Sequence, residues 1–436
     1  FPVYYSGNFS DAIQGFERGG RTAIKGANGR WIDSICYHTM TGEAYYQMGN
    51  NAKALDHHRS ALQQYLQYPN WMLRVDWAPI RPNSRNVVVP WGKPQRIARM
   101  RAYSILIAMT LGDVQPIPGT NTNFSNLRKI PVDVTEIVRC MGVSIRRYRE
   151  LSGPNTQHDP LMGSVITELA RRQVPPNCWG EALIDVLLGM ANRAVGKNGD
   201  AEALLKRGLI ASGEFDHPLT PLALLELGHI ALWEADFTKA RDLFLEASYS
   251  ALGFDNGAPD AIEEAIHYGF IANHLSNRKQ PFTPLEVVAT FAGKQKLYHL
   301  QASATTALAE DMALLGRTSD ANAALSAARG VLFKRDMQNG RMGSRYNYVQ
   351  AIAAYQSGNI SAGDEALASA LAFQRNGGST WMFQIALADS LYTTGKLTPR
   401  GAEQLFETVL RDPGRADWLI HPLESLTSLV VPHLLP

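Results

Sequence analysis

Small and apolar residues recur at fixed distances on either side of short turn signals along most of the chain. The segment Thr41–Ala61, TGEAYYQMGNNAKALDHHRSA, carries the pattern in full. Gly49-Asn50 reads as a tight turn, because both residue types tolerate positive φ. Gly42 and Tyr45 precede Gly49 by seven and four residues, and Ala54, His58 and Ala61 follow it by five, nine and twelve. Small residues at such places let two antiparallel helices approach closely, while the larger ones fill the gaps. The same spacing returns around Gly196 (Gly189, Asn192, Ala201, Leu205, Gly208) and Ala235-Asp236 (Gly228, Ala231, Ala240, Phe244, Ala247). It returns again around Gly316 (Ala309, Met312, Ala321, Leu325, Ala328) and Gly358-Asn359 (Ala351, Ala354, Gly363, Leu367, Ala370). Gly7-Asn8 keeps only the second half, with Ala12, Phe16 and Gly19. Gly112 (Ile105, Ala108), Ser276 (Gly269, Ala272) and Gly395 (Ala388, Leu391) keep only the first. At Gly153 the small positions hold Arg146 and Arg149. Turns at 7, 49, 112, 153, 196, 235, 276, 316, 358 and 395 leave eight of nine intervals between 37 and 43 residues. A repeat of helical hairpins, each burying its face on the next, is therefore predicted.

The pattern resembles tetratricopeptide repeats, best over Thr41–Ala61 and Leu227–Ala247. Its period, near 41, is longer than the usual ~34 and resembles the long-period members of that family. The resemblance implies an all-α fold: a right-handed α-solenoid of about nine to ten hairpins, forming a single domain over residues 1–436. The first unit lacks most of its first helix, which predicts further sequence upstream of Phe1 and leaves the compartment open. The 63-residue interval marks an insertion, residues 69–94, with five prolines and three tryptophans. Met72–Trp77 and Asn86–Val89 are expected as two short strands there, limited by Pro82 and Pro90. A polar loop is expected over Val114–Pro131, and Pro281 and Pro284 interrupt a unit before a helix near Leu285.

In this family the first helix of each unit lines a concave wall that binds extended peptides or partner helices. The spacing places Tyr46, Tyr103, Trp233, Phe270, Tyr348, Tyr355 and Tyr392 on or near that wall. Aromatic rings give large contact area at low entropic cost, although rings at helical spacing also serve as ordinary core. The Lys/Asn clamp that some members use for a terminal carboxylate is not matched, since Thr39, Glu43, Leu106, Glu310 and Asp389 stand at its positions. A second candidate is a basic and aromatic patch of Trp71, Arg74, Trp77, Arg81, Arg85, Trp91, Arg96 and Arg99. An acidic peptide, an anionic surface or single-stranded nucleic acid would suit it. The plainer reading makes these arginines solvated faces and the tryptophans anchors of the insertion. Arg139, Arg146, Arg147 and Arg149 extend the basic run.

Composition narrows the classes. Of 436 residues, 45% are hydrophobic, enough for a large core and too many for a disordered chain. The 42 Lys+Arg nearly balance the 40 Asp+Glu, which argues against nucleic acid as the main partner. Three scattered cysteines make neither a disulfide framework nor a zinc site. No apolar run reaches membrane-spanning length. Eleven histidines include no HExxH pair, and neither a phosphate loop nor a GxSxG elbow is found. The sequons at Asn8 and Asn359 coincide with repeat turns that want Asn for backbone reasons. The expectation is thus a non-catalytic interaction scaffold without cofactor or metal, binding a peptide or partner protein on its concave wall or at the insertion. The alternative is the effector- or peptide-sensing part of a larger regulator.

Overall fold

A computed structural model describes residues 2–373, apart from 27–28, 76, 78–81, 84–87, 97, 101–104, 111–126, 212–214, 254–257 and 277–279. Helices dominate it. The chain enters through α1 (Pro2–Tyr5) and α2 (Phe9–Thr22), then α3 (Ser34–Gln47) and α4 (Asn51–Gln67). Beyond the insertion come α5 (Val134–Ser152), α6 (Pro160–Ala170), α7 (Gly180–Ala194), α8 (Asn198–Ala211), α9 (Thr220–Trp233) and α10 (Phe237–Leu252). The array continues with α11 (Pro259–Leu275), α12 (Pro284–Lys294), α13 (Tyr298–Leu314), α14 (Thr318–Lys334), α15 (Arg341–Gln356) and α16 (Ile360–Phe373). No helix among the described residues is long and apolar enough to cross a membrane.

The hairpin turns share one local chemistry. Gly7, Gly49, Gly196, Gly316 and Gly358 have φ between +74° and +85°, and Ala235 has +59°. At Gly49 the amide bonds the Tyr46 carbonyl and the next amide, of Asn50, bonds that of Tyr45. This pair of bonds satisfies the orphan carbonyls of a helix end when one residue turns left-handed. The other five turns repeat it. Asn8, Asn50, Asp236 and Asn359 then cap the following helix, each accepting the amide three residues on at 3.1–3.2 Å. Each such cap is worth ~1 kcal/mol.

Close helix crossings account for the small residues. A Cβ on Gly228 would sit 2.6 Å from the Phe244 ring, and one on Gly42 2.8 Å from the His58 imidazole. Gly189 lies equally tight on Leu205, and Gly208 on Val186. Ala231, Ala240, Ala309, Ala321 and Ala351 are fully buried. Helices pair as α3 with α4, α7 with α8, α9 with α10, α13 with α14 and α15 with α16.

The inner helices α3, α5, α7, α9, α11, α13 and α15 pack side by side in that order, and α15 then meets α3. Gly340, which caps α15, lies against the Gln47 carbonyl at the end of α3. Gly7 likewise lies against Met337. The array therefore completes a circuit and returns onto its own start.

Four expectations are corrected. Ile105–Thr110 is not the first helix of a unit at Gly112 but strand β5, paired antiparallel with β6 (Leu127–Val132) from Ile105↔Val132 to Thr110↔Leu127. The β-branched and apolar run ILIAMT suits a strand better than a helix. Leu127–Pro131, expected in the polar loop, belong to β6, and residues 114–126 lie outside the described ones. Met72–Trp77 is not a strand, since Trp71–Arg74 forms a turn of 3-10 helix. Among the described residues the strands near the insertion are β3 (Pro82–Asn83) and β4 (Ala98–Met100), with β4 also pairing parallel to β7 (Phe215–Asp216); the first half of the strand expected over Asn86–Val89 lies outside them. A two-residue pair, β1 (Lys25–Gly26) and β2 (Gly29–Arg30), precedes α3. Finally, α11 and α12 form no tight hairpin at Ser276; α11 packs on α10, and α12 pairs with α13 through a left-handed Lys296 at φ +60°. The unit expected at Gly395 lies outside the described residues.

Candidate functional site: the charged inner wall

Polar side chains crowd the inner helices. The last turns of α5 read Arg146-Arg147-Tyr148-Arg149-Glu150. Residues three and four apart share a helix face, so α5 offers cations to neighbours on both sides. Toward α9 and α11, Arg146 Nε binds Glu226 at 2.5 Å and a second nitrogen of Arg146 binds Glu264. Arg193 of α7 takes the other oxygen of Glu226. His229 Nε2 lies 3.1 Å from the same Glu264 oxygen.

Toward α3, Arg147 grips Glu43 with two nitrogens, at 2.8 and 2.9 Å, and also binds Glu150. Tyr46 donates its hydroxyl to Glu150. The guanidinium carbons of Arg147 and Arg341 each lie 3.5 Å from the Tyr46 ring centroid. Two planar cations at that distance must occupy opposite faces of the ring, which is thus sandwiched. Across the wall, Arg345 reaches Ser303 at 3.1 Å and His267 at 2.6 Å, with Glu310 at 3.8 Å. Tyr348 donates to Glu310 at 3.4 Å, and His299 Nδ1 lies 2.8 Å from Glu263.

Electrostatics follow from enclosure and pairing. Burial raises the carboxyls of Glu43 and Glu226, but Arg147 at the first and Arg193 with Arg146 at the second outweigh it, holding both well below the usual carboxylate range. Burial dominates at Glu310 and raises it over the pull of Arg345. His229 and His267 are driven well below their ordinary value, first by burial and then by Arg193 and Arg345 respectively, so both are neutral at pH 7. Arg149 is pulled down to about 9 by burial, with Arg193 next.

Tyr268 stands at the centre, half-buried, its ring centroid 4.3 Å from that of His229 and 5.6 Å from that of Phe244. Burial and then Glu150 push its phenol up to about 12, against Arg146, Arg341 and Arg147. The network is not sealed. Side-chain exposure grades from 2% at Glu226 through 18% at Arg146 and Arg147 to 23% at Glu264 and 34% at Glu150, so the charged heads line a space that solvent reaches.

Of the wall aromatics expected from sequence, Tyr46, Phe270, Tyr348 and Tyr355 are buried and Trp233 is half-buried. Tyr46 meets the charged network through Arg147, Arg341 and Glu150, and Tyr348 meets it through Glu310. Phe270 packs in the core, and Tyr355 donates to Asp364 at 2.6 Å. Tyr103 and Tyr392 lie outside the described residues. In the basic and aromatic patch, Trp71 and Trp91 are buried; Trp91 donates to Ser248 at 2.9 Å and packs on Phe291. Trp77 packs edge-on to Trp179 with centroids 4.7 Å apart, and Arg96 binds Asp216 at 2.5 Å. Arg74 is half-buried, and Arg99 lies in β4. Arg81 and Arg85 lie outside the described residues.

Sequence reasoning missed Tyr268, Arg193, Glu226, Arg341 and Arg345 as site residues. One signal was available: Arg146 and Arg149 stand where a hairpin crossing wants small side chains. Among the described residues, no three His, Cys, Asp or Glu side chains are grouped as a metal ion would need. Compared with known proteins, the chain matches no family model and no curated protein.

Proposed function

We propose that this protein is a non-catalytic interaction module of the tetratricopeptide type, which takes a short peptide or a peptide-like segment of a partner on its inner wall. The reading rests on one observation: the charged network of α3, α5, α7, α9, α11 and α15 is organised by ion pairs yet remains partly open to solvent. Ion pairs hold side chains in fixed directions, and fixed polar groups around an accessible space are how a binding site obtains orientation and selectivity. The arginine-bound carboxylates Glu43 and Glu226 are held in the charged form, which suits fixed recognition better than proton transfer near neutral pH. The insertion is the weaker candidate, because Trp71 and Trp91 are spent on anchoring it.

A second reading, the effector-sensing part of a larger regulator, is favoured by the return of α15 onto α3, which narrows the space toward small ligands. Selection from a displayed library of random peptides, followed by calorimetric titration of the winners, tests the first reading. A saturable one-to-one isotherm that Tyr268→Ala abolishes is the expected result. A library that yields no saturable binder, alongside small polar metabolites that do bind, would transfer the assignment to the second reading.

A further inference from the structure

Charge around Tyr268 is unevenly committed. Glu150 and then Arg146, Arg341 and Arg147 act on its phenol, and Arg149 and Arg345 feel it as well. The carboxylates that face these cations from α3 and α9 are already engaged. Glu43 gives both oxygens to Arg147, and Glu226 gives one each to Arg146 and Arg193.

Arg341 is held differently. Its plane is fixed 3.5 Å over the Tyr46 ring, but its ion pair with Glu150 is stretched to 3.5 Å. Its second terminal nitrogen, Nη1, is buried with no acceptor among the described residues. A buried guanidinium N–H without an acceptor is costly and marks a place where a partner atom belongs. Arg149 of α5 is pulled down to about 9 by burial and by Arg193, against the opposing pull of Glu226.

We infer that the partly open wall between Arg341 and Tyr268 is a binding site for an oxyanion group of the ligand, a carboxylate or a phosphate, received by Arg341 with Arg146 and Tyr268 further along the same wall. The planar fork of arginine matches two oxygens of either group, and Tyr268 supplies a donor that stays protonated at neutral pH. This deepens the proposed function and rests on it: the oxyanion would be the end that orients the peptide or effector.

The test is titration of the full chain, at ionic strength fixed with sodium chloride, with three probes. These are inorganic phosphate, an N-acetylated tripeptide with a free terminal carboxylate, and the same tripeptide amidated. We expect saturable binding of phosphate or of the free-acid peptide beyond any effect of chloride, weakened at least tenfold by Arg341→Gln. Arg171→Gln, an exposed arginine paired with Glu168, is expected to leave it unchanged. Because Arg341 also braces the α3–α15 contact, Tyr268→Phe is the second variant. It is expected to weaken binding several-fold without moving the thermal midpoint of the unliganded chain. A response to the acid alone identifies the carboxylate as the source, and a response to phosphate alone identifies the phosphate. Equal affinity for acid and amide, with none for phosphate, would sink the oxyanion site while leaving binding on the inner wall intact. No response to any probe beyond that of chloride would overturn the inference as well; a peptide selected from the library would then still uphold the interaction module.

Discussion

At the scale of single residues, the tightest packing constraints fall on glycines. A Cβ on Gly228 would enter the ring of fully buried Phe244, so Gly228→Ala is expected to destabilise the fold by about 1–3 kcal/mol. Gly330, on the exposed side of α14, has nothing within 4 Å of its would-be Cβ. Gly330→Ala is expected to stabilise by about 0.5–1 kcal/mol through helix propensity. Urea midpoints of the two variants, read side by side, separate close approach from backbone entropy. Asp311 carries a pH dependence. Burial raises its carboxyl from 3.8 to about 6, although it accepts the Phe282 amide at 2.7 Å. Between these values the folded chain binds more protons than the unfolded one. The stabilisation from the protonated acid is therefore complete below pH 3.8 and lost as pH rises through about 6. Asp311→Asn keeps an acceptor for Phe282 and removes the charge. It is expected to gain on the order of 2 kcal/mol over the parent at pH 7.5 and almost nothing at pH 3.5. Equal gains at both pH values would refute the assignment to Asp311.

At the scale of elements, the turns were the most legible part of the sequence. Gly7, Gly49, Gly196, Gly316 and Gly358 advertise a left-handed residue, and Asn8, Asn50, Asp236 and Asn359 advertise the helix start that follows. The α12–α13 turn was illegible for the same physical reason. It puts Lys296 at φ +60°, a conformation that no lysine signals. Lys296→Gly is expected to raise stability by about 0.5–1 kcal/mol, since a left-handed side chain costs more there than glycine loses in chain entropy; a thermal melt reads it. Strand β5 was misread because Ile105 and Ala108, three apart, match the spacing of a helix face, whereas the unbroken apolar run around them has no period and its β-branched residues were the better signal. Of the site, spacing put Tyr46 and Tyr348 on the wall, but its charge was legible only as an oddity. Arg146 and Arg149 broke the small-residue rule at Gly153, but nothing local to α5 tells that Glu226, Glu264 and Tyr268, far along the chain, come to meet them. Convergence of that kind is set by how successive hairpins rotate, and that angle is a property of packing between units.

At the scale of the whole molecule, the meeting of α15 with α3 has a measurable signature. A compact chain of 436 residues has a radius of gyration of about 22 Å, and an array with parted ends exceeds it. X-ray scattering in solution is expected to give a value near the compact figure. Gly340→Val places a side chain against the Gln47 carbonyl, where a Cβ has only 2.6 Å, and is expected to raise the radius. An unchanged curve would mean that the seam contributes little to shape. The seam also alters how such a protein tolerates change in length. An open string of hairpins can lose or gain a bead and keep the rest, since each touches only its neighbours. A hoop allows no such freedom: removing one interior hairpin shortens the arc, and Arg341 no longer lands on Tyr46. Its number of modules is fixed by geometry, much as the staves of a barrel are fixed by its girth.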